Sequence, residues 1–171
     1  MSTPWHDLDA FIDLPRASSL ALSPDGTWLL AGIQTLSSDQ TSWRTALWRI
    51  PVDGSGARRL TRGEEGEQAA CLLPDGSVVF TARRPVPAQE GGDEKDVALW
   101  CLPSEGGEAL VLTRRRGGWG TLQAARTASR LVSAVGLRAG LESLADDTAL
   151  QAEREKKKVR AILHEGAGVR Y

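Results

Sequence analysis

The sequence predicts an all-β fold: an incomplete β-propeller with two complete four-stranded blades, part of a third blade and one helical insertion. Two observations predict this fold class. Two ordered blocks of residues recur along the chain, at shifts of 50 and 52 residues. Within each copy, apolar residues alternate with a period of two between turn-forming sequences, which is the pattern of short strands.

The longer block carries a Leu-Trp pair. Without a gap, Ala46–Arg62 matches Ala98–Arg114 at nine of 17 positions. Trp48 and Trp100 fall at the same place in the alternating pattern. The period of two therefore predicts that both tryptophans lie on the same face of equivalent strands.

The shorter block is a Pro-Asp-Gly turn. Leu22–Gly26 matches Leu72–Gly76, and this sequence favours a tight turn because proline fixes φ, aspartate accepts local hydrogen bonds and glycine permits positive φ. The apolar runs that follow, Trp28–Ala31 and Val78–Thr81, are predicted to be short strands buried on both faces.

A glycine-containing turn closes each unit. Asp53–Gly56 and Glu105–Gly107 are predicted hairpin turns, and they lead into last strands that end at Leu60–Thr61 and Leu112–Thr113. Four short antiparallel strands in about 50 residues are typical of one propeller blade.

The third copy is only partial. Gly120–Val135 aligns with the second unit, and Leu131–Ala134 takes the place of a strand. Leu137–Lys158 instead has helical character, with apolar residues spaced by three and four positions. The predicted organisation is a 1–19 N-terminal extension with a short helix around Trp5–Leu14, propeller blades over 20–136, a helical insertion over 137–160, and the start of the next propeller strands, truncated, over 161–171.

Composition excludes several classes of function. The chain has 21 Lys+Arg and 22 Asp+Glu, and the net charge of −1 argues against nucleic acid as a partner. No run of about 18 apolar residues is present, so no membrane partner is expected. Met1–Arg16 lacks the features of a secretory signal, which favours a cytoplasmic location. Two cysteines and two histidines predict no disulfide framework, no metal and no cofactor.

Two segments near the ends of the chain carry a family resemblance. Asp7–Ile12 followed by Leu20–Gly26, and Ala161–Glu165 followed by Val169–Tyr171, resemble prolyl-oligopeptidase-family serine peptidases of the acylaminoacyl-peptidase and dipeptidyl-peptidase branches. The resemblance implies that the propeller covers an α/β-hydrolase domain that follows it in sequence. Gly166–Gly168 departs from the pattern, since a bulkier aromatic residue or proline is expected there.

The hydrolase chemistry itself is not expected in this chain. A Gly-x-Ser-x-Gly elbow is missing from the sequence, and Gly54–Gly56 lies in a predicted hairpin turn. We therefore expect no catalytic residues here. The resemblance implies that Glu165 and Arg170 contact the substrate; the alternative is that they pair with each other or cap a strand end.

Two functions follow from this reasoning. The first is the N-terminal propeller fragment of a serine peptidase, which acts as a gate for short peptide substrates that reach the hydrolase domain. The second is a non-catalytic propeller-repeat module that binds other proteins. Two units and part of a third do not close a ring, so self-association through the unpaired blade edge is a further expectation.

Overall fold

The computed structural model describes residues 6–84 and 96–159 of the chain. The chain divides into two compact units, Met1–Val135 and Gly136–Tyr171. The elements, in chain order, are α1 (Leu8–Ile12), β1 (Arg16–Leu22), β2 (Trp28–Leu36), β3 (Trp43–Pro51), β4 (Arg58–Arg59), β5 (Glu67–Leu72), β6 (Val78–Ala82), β7 (Val97–Leu102), β8 (Leu110–Arg115), β9 (Leu122–Ala124), β10 (Leu131–Ser133) and α2 (Leu144–Lys156).

The strands form three antiparallel sheets in which neighbours in sequence pair with each other. Sheet 1 has the order β1-β2-β3-β4, sheet 2 has the order β5-β6-β7-β8, and sheet 3 contains β9 and β10. Each four-stranded sheet is one copy of the sequence repeat. The prediction of an incomplete propeller, with two four-stranded blades and part of a third, is confirmed.

The core lies between the sheets, because each sheet has an apolar face that it cannot bury alone. Phe80 is completely buried at the contact between sheets 1 and 2. The other buried members of this cluster are Trp28, Leu30 and Leu47 from sheet 1 and Val78, Ala82, Ala98, Trp100 and Leu102 from sheet 2. A second cluster joins Cys71, Val79 and Leu99 of sheet 2 to Leu122 of β9.

The two repeated tryptophans occupy equivalent faces. Leu47 lies in the cluster between sheets 1 and 2, and its repeat equivalent Leu99 lies in the cluster between sheets 2 and 3. Because side chains alternate along a strand, Trp48 and Trp100 both point away from the sheet that follows in sequence. The predicted common face of the two tryptophans is thus confirmed.

The two Pro-Asp-Gly turns differ in length by one residue. Leu22 pairs with Leu29 across the first turn, whereas Leu72 pairs with Val78 across the second. Six residues, 23–28, therefore separate the first pair, and five, 73–77, separate the second. Leu29, one position after Trp28, is the structural equivalent of Val78.

Ser23 explains the longer turn. Its hydroxyl accepts a hydrogen bond from the Trp28 amide at 3.0 Å and donates one to the Asp25 carboxylate at 2.6 Å. The equivalent residue, Leu73, has no side-chain group for either bond. Both turns are also closed by a backbone bond, from the Ser23 amide to the Trp28 carbonyl at 2.8 Å and from the Leu73 amide to the Ser77 carbonyl at 2.9 Å.

Helix α1 begins at the Asp7 N-cap, whose side chain accepts a hydrogen bond from the Ala10 amide. It falls within the predicted Trp5–Leu14 segment. The Arg16 guanidinium lies 5.6 Å from the centre of the Phe11 ring and 4.2 Å from that of Trp43. These cation–π contacts connect α1 to the start of sheet 1.

Helix α2, in the second unit, is shorter than the helical segment expected from the sequence. It begins at Leu144, after the extended N-cap residue Ser143, whose hydroxyl accepts from the Asp146 amide at 3.1 Å. Gly140, with φ of +82°, lies upstream in a turn. The helix buries Asp147 rather than an apolar stripe, and that carboxylate pairs with Arg138 at 2.8 Å.

No helix in residues 6–84 and 96–159 is both long enough and apolar enough to span a membrane.

Candidate functional site

A cavity of about 320 Å³ lies where the β2–β3 hairpin approaches the segment that joins sheet 1 to sheet 2. The hairpin contributes Thr35, Leu36, Ser37, Ser38, Arg44 and Thr45, β4 contributes Arg59, and the joining segment contributes Arg62, Gly63 and Glu64. Leu36 is the single aliphatic side chain in this lining. The cavity is therefore polar and rich in arginine.

Asp39 shapes the tip of the β2–β3 hairpin. Its carboxylate accepts hydrogen bonds from the Ser37 hydroxyl at 2.5 Å and the Thr41 hydroxyl at 2.9 Å. The Ser37 hydroxyl in turn accepts from the Ser42 amide at 3.1 Å. The hydrogen bond from Ser37, followed by those from Thr41, lowers the pKa of Asp39 to about 2. The tip therefore keeps its negative charge and its conformation at neutral pH.

Two of the three cavity arginines are held in place by neutral groups. Arg44 Nη1 donates to the Glu64 carbonyl oxygen, and Arg59 Nε donates to the Thr61 carbonyl oxygen at 2.6 Å. Within the described residues, no carboxylate oxygen lies within 4 Å of the guanidinium nitrogens of Arg44, Arg59 or Arg62. The guanidinium groups of Arg44 and Arg59 are thus oriented by backbone carbonyls, and none of the three arginines is paired with a carboxylate of residues 6–84 and 96–159.

A buried ion pair lies next to the cavity. The Glu67 side chain is fully buried, and its Oε1 accepts from Arg84 Nη2 at 2.5 Å and from the Gly63 amide at 3.3 Å. Gly63 also lines the cavity. The Arg84 guanidinium lies 4.9 Å from the centre of the Phe80 ring and 5.4 Å from that of Trp100. The pair therefore joins the cavity lining to the core between sheets 1 and 2.

An irregularity in the β5–β6 pairing places Glu67 there. Glu67 pairs with Ala82 and Ala70 pairs with Phe80, so the register shifts between them. The Thr81 hydroxyl accepts from the Ala69 amide at 3.0 Å inside this irregular stretch. Such bulges re-aim side chains, and here the strand turns a carboxylate inward at the end of an otherwise apolar sheet.

The ion pair is not fully satisfied. Glu67 Oε2 and Arg84 Nε are both buried without a hydrogen-bond partner. Each orphaned atom loses its hydration without a compensating bond, which makes the pair costly to keep in the core.

The strand topology explains why the cavity arginines and Glu67 lie at the same end of sheets 1 and 2. Strands β2, β4 and β6 end there, and β3, β5 and β7 begin there, because neighbouring strands are antiparallel. The Pro-Asp-Gly turns lie at the opposite end. Arginines and the buried carboxylate are thereby collected at one end of sheets 1 and 2.

The substrate-contact residues expected from the sequence, Glu165 and Arg170, lie outside the described residues. Gly54–Gly56 is found in the predicted hairpin turn, where both glycines have positive φ and the Ser55 amide donates to Asp53 at 2.9 Å. Ser55 is thus a turn residue, as the sequence indicated.

The two cysteines are protonated thiols. Burial raises the pKa of Cys71 to about 11, and burial together with the charge of Asp75 raises the pKa of Cys101. At neutral pH neither is a thiolate, which is the form that attacks substrates or binds metals. Among the described residues, no cluster of three or more His, Cys, Asp or Glu side chains could hold a metal ion.

Sequence reasoning did not identify the cavity arginines. A signal was nevertheless present, since two of them depart from the repeat. The 52-residue shift places Arg44 against Asp96 and Arg59 against Val111. A residue that differs between two otherwise similar repeats is not required for the fold that the repeats share.

No family model matches the sequence, and no curated protein matches it. Among solved structures, the chain is similar to one described as "putative TolB from Agrobacterium tumefaciens". The identity is 28%, the match covers 58% of this chain and 34% of that chain, and the TM-score is 0.42. The matched part is thus about one third of the solved protein's length.

The Ser37→Ala variant tests how the hairpin tip is held. Because the hydroxyl of Ser37 makes the largest contribution to the lowered pKa of Asp39, we expect the substitution to raise that pKa from about 2 toward 3.8. A carboxyl group with a lowered pKa in the folded state stabilises the fold at pH values above 3.8, and the contribution is lost as the pH falls toward 2. The free energy of unfolding should therefore fall less across this window in the variant.

The measurement is a carbon-13 NMR titration of the Asp39 carboxyl carbon. Ser55→Ala, which removes the hydroxyl that hydrogen-bonds to Asp53 and keeps the backbone amide bond, is the matched control and should leave Asp39 unchanged. A wild-type midpoint near 3.8 would contradict the hydrogen bonding described for the tip.

Glu67→Gln tests the buried ion pair. Removal of one charge leaves Arg84 partly buried and unpaired, so we expect the free energy of unfolding to fall by about 3 kcal/mol. The double variant Glu67→Gln/Arg84→Met should regain most of this loss, because no uncompensated charge remains.

Urea unfolding of the wild-type protein, the two single variants Glu67→Gln and Arg84→Met, and the double variant gives the coupling free energy between the two side chains. Glu153→Gln, which breaks the exposed pair with Lys157, serves as the control and should have only a small effect. Additive effects of the two single substitutions would show that Glu67 and Arg84 do not act as a pair.

Proposed function

We propose that this chain is the N-terminal propeller part of a serine peptidase of the prolyl-oligopeptidase family. In this proposal the blades cover a hydrolase domain encoded in the same protein and act as a gate that admits short peptides. The peptide substrate is then the partner, reached through the hydrolase domain, and the location is cytoplasmic. The catalytic serine, aspartate and histidine belong to that hydrolase domain.

The observation that carries the proposal is the way the first family-like segments fold. Asp7 caps helix α1, and the chain passes from α1 directly into β1, the first strand of sheet 1. The Pro-Asp-Gly turn of Leu22–Gly26 then leads into β2. The two family-like segments thus form a capped helix and a strand with its turn, and they lead into a series of blades.

The arginine-rich end of sheets 1 and 2 supports a gating role. In this proposal the arginine-rich end is the one that approaching peptides meet, and it holds oriented guanidinium groups of Arg44 and Arg59. Guanidinium groups bind carboxylates and carbonyl oxygens of peptides through charge-assisted hydrogen bonds.

The alternative is a non-catalytic module that binds proteins, including further copies of itself. The face of sheet 1 that points away from sheet 2 favours this reading. Leu20 and Leu22 on that face are 63% and 58% exposed, although they pair with the more buried Ala31 and Leu29. Exposed apolar residues on a sheet face are suited to protein contacts.

A fluorophosphonate probe distinguishes the two functions, because it reacts with activated serine nucleophiles. The probe is applied to extracts of the source cells, and products are detected with an antiserum raised against the 171-residue chain. We expect a labelled protein larger than 18.4 kDa. The purified chain is the control and should remain unlabelled.

An unlabelled antigen of 18.4 kDa as the sole product would contradict the peptidase proposal. Oligomers of that product in sedimentation velocity would favour the interaction module.

A further inference from the structure

We propose that the arginine-lined cavity of sheet 1 is a binding site for a phosphoryl group, as inorganic phosphate or as a small phosphate monoester. The inference stands on the cavity alone and does not depend on the proposed peptidase function.

The charge of the lining matches this ligand. Three guanidinium groups and one carboxylate, that of Glu64, line the cavity, which gives a formal charge of +2. A phosphate monoester carries about −1.5 to −2 at neutral pH. A single carboxylate, with a charge of −1, would leave the site positively charged.

The arginines are arranged as binding groups rather than as members of internal ion pairs. Arg44 and Arg59 are oriented by backbone carbonyls, so their remaining N–H groups are available to a ligand. Arg62 has no hydrogen bond or ion pair with any described residue. Arg44 and Arg59, which are already fixed, lose little entropy on binding, and this favours affinity.

Hydroxyl groups complete the lining. Thr35, Ser38 and Thr45 border the cavity and can donate to phosphate oxygens that the arginines do not reach. The volume of about 320 Å³ lies near the lower limit of about 300 Å³ for small-molecule sites. The cavity therefore fits one phosphoryl group with a small organic substituent.

The internal repeat shows that two of the three arginines are not needed for the fold of a blade. At equivalent positions of the second repeat, Arg44 is replaced by Asp96 and Arg59 by Val111, whereas Arg62 is matched by Arg114. Sheet 2 nevertheless forms the same four-stranded arrangement. The fold therefore does not require Arg44 or Arg59, which leaves these two side chains available for a binding role.

Isothermal titration calorimetry of the purified chain with inorganic phosphate tests the site, and phenyl phosphate represents the monoesters. We expect saturable binding of one equivalent of at least one of them, with a dissociation constant below about 1 mM, weakened by added NaCl. Tighter binding of phenyl phosphate would assign the site to monoesters, and tighter binding of inorganic phosphate to the free ion. Acetate, as the carboxylate probe, should bind at least about tenfold more weakly than the better phosphate ligand.

Three variants identify the location. Arg62→Gln should weaken phosphate binding at least about tenfold, because one charge-assisted contact is lost. Arg58→Gln removes the same charge from an exposed residue of β4 that does not line the cavity, so it should change binding less than about twofold. Glu64→Gln removes the cavity's carboxylate and should tighten binding. The thermal unfolding of each variant verifies that it is folded.

The proposal is overturned if neither phosphate compound binds with a dissociation constant below about 1 mM. It is also overturned if acetate binds as tightly as both, or if Arg62→Gln and Arg58→Gln have equal effects.

Discussion

The burial of apolar faces between sheets 1 and 2 is the interaction on which the rest of the structure depends. Both sheets are four strands wide, and among the described residues the buried cluster between them contains only strand residues, so the two apolar faces cover each other. Leu47 enters this contact from sheet 1, and Phe80 and Trp100 enter it from sheet 2. Burial of such a side chain contributes about 1.5–3 kcal/mol.

The polar end of the sheets is built on that contact. Arg84 extends from the end of β6 over Phe80 and Trp100, and it meets Glu67 at the beginning of β5. Glu67 in turn accepts from the Gly63 amide in the segment that leads from sheet 1. The core thereby positions the connection between the sheets, and the connection supplies part of the arginine-lined cavity. A continuous set of contacts thus connects the core between sheets 1 and 2 to the arginine-lined cavity.

The sequence predicted the structural features that the two repeats share, but it did not predict the features that occur in one repeat only. The period of two and the shared Leu-Trp pair identified β3 and β7 and the common face of Trp48 and Trp100. The register after the first turn was not predicted, because it depends on one hydroxyl, that of Ser23, at a position where the other repeat has leucine. The cavity was missed for a related reason: Arg44 and Arg59 are distant in sequence and become neighbours only when β3 and β4 pair.

Nuclear Overhauser measurements on the isotopically labelled chain test the central claim most directly, because they report which side chains face sheet 2. We expect cross-peaks from the methyl groups of Leu47 to side chains of β5 and β6, with Trp48 giving none to those strands. Cross-peaks from the Trp48 ring to Phe80, with none from Leu47, would reverse the face of sheet 1 and contradict the stacking of consecutive repeats described here.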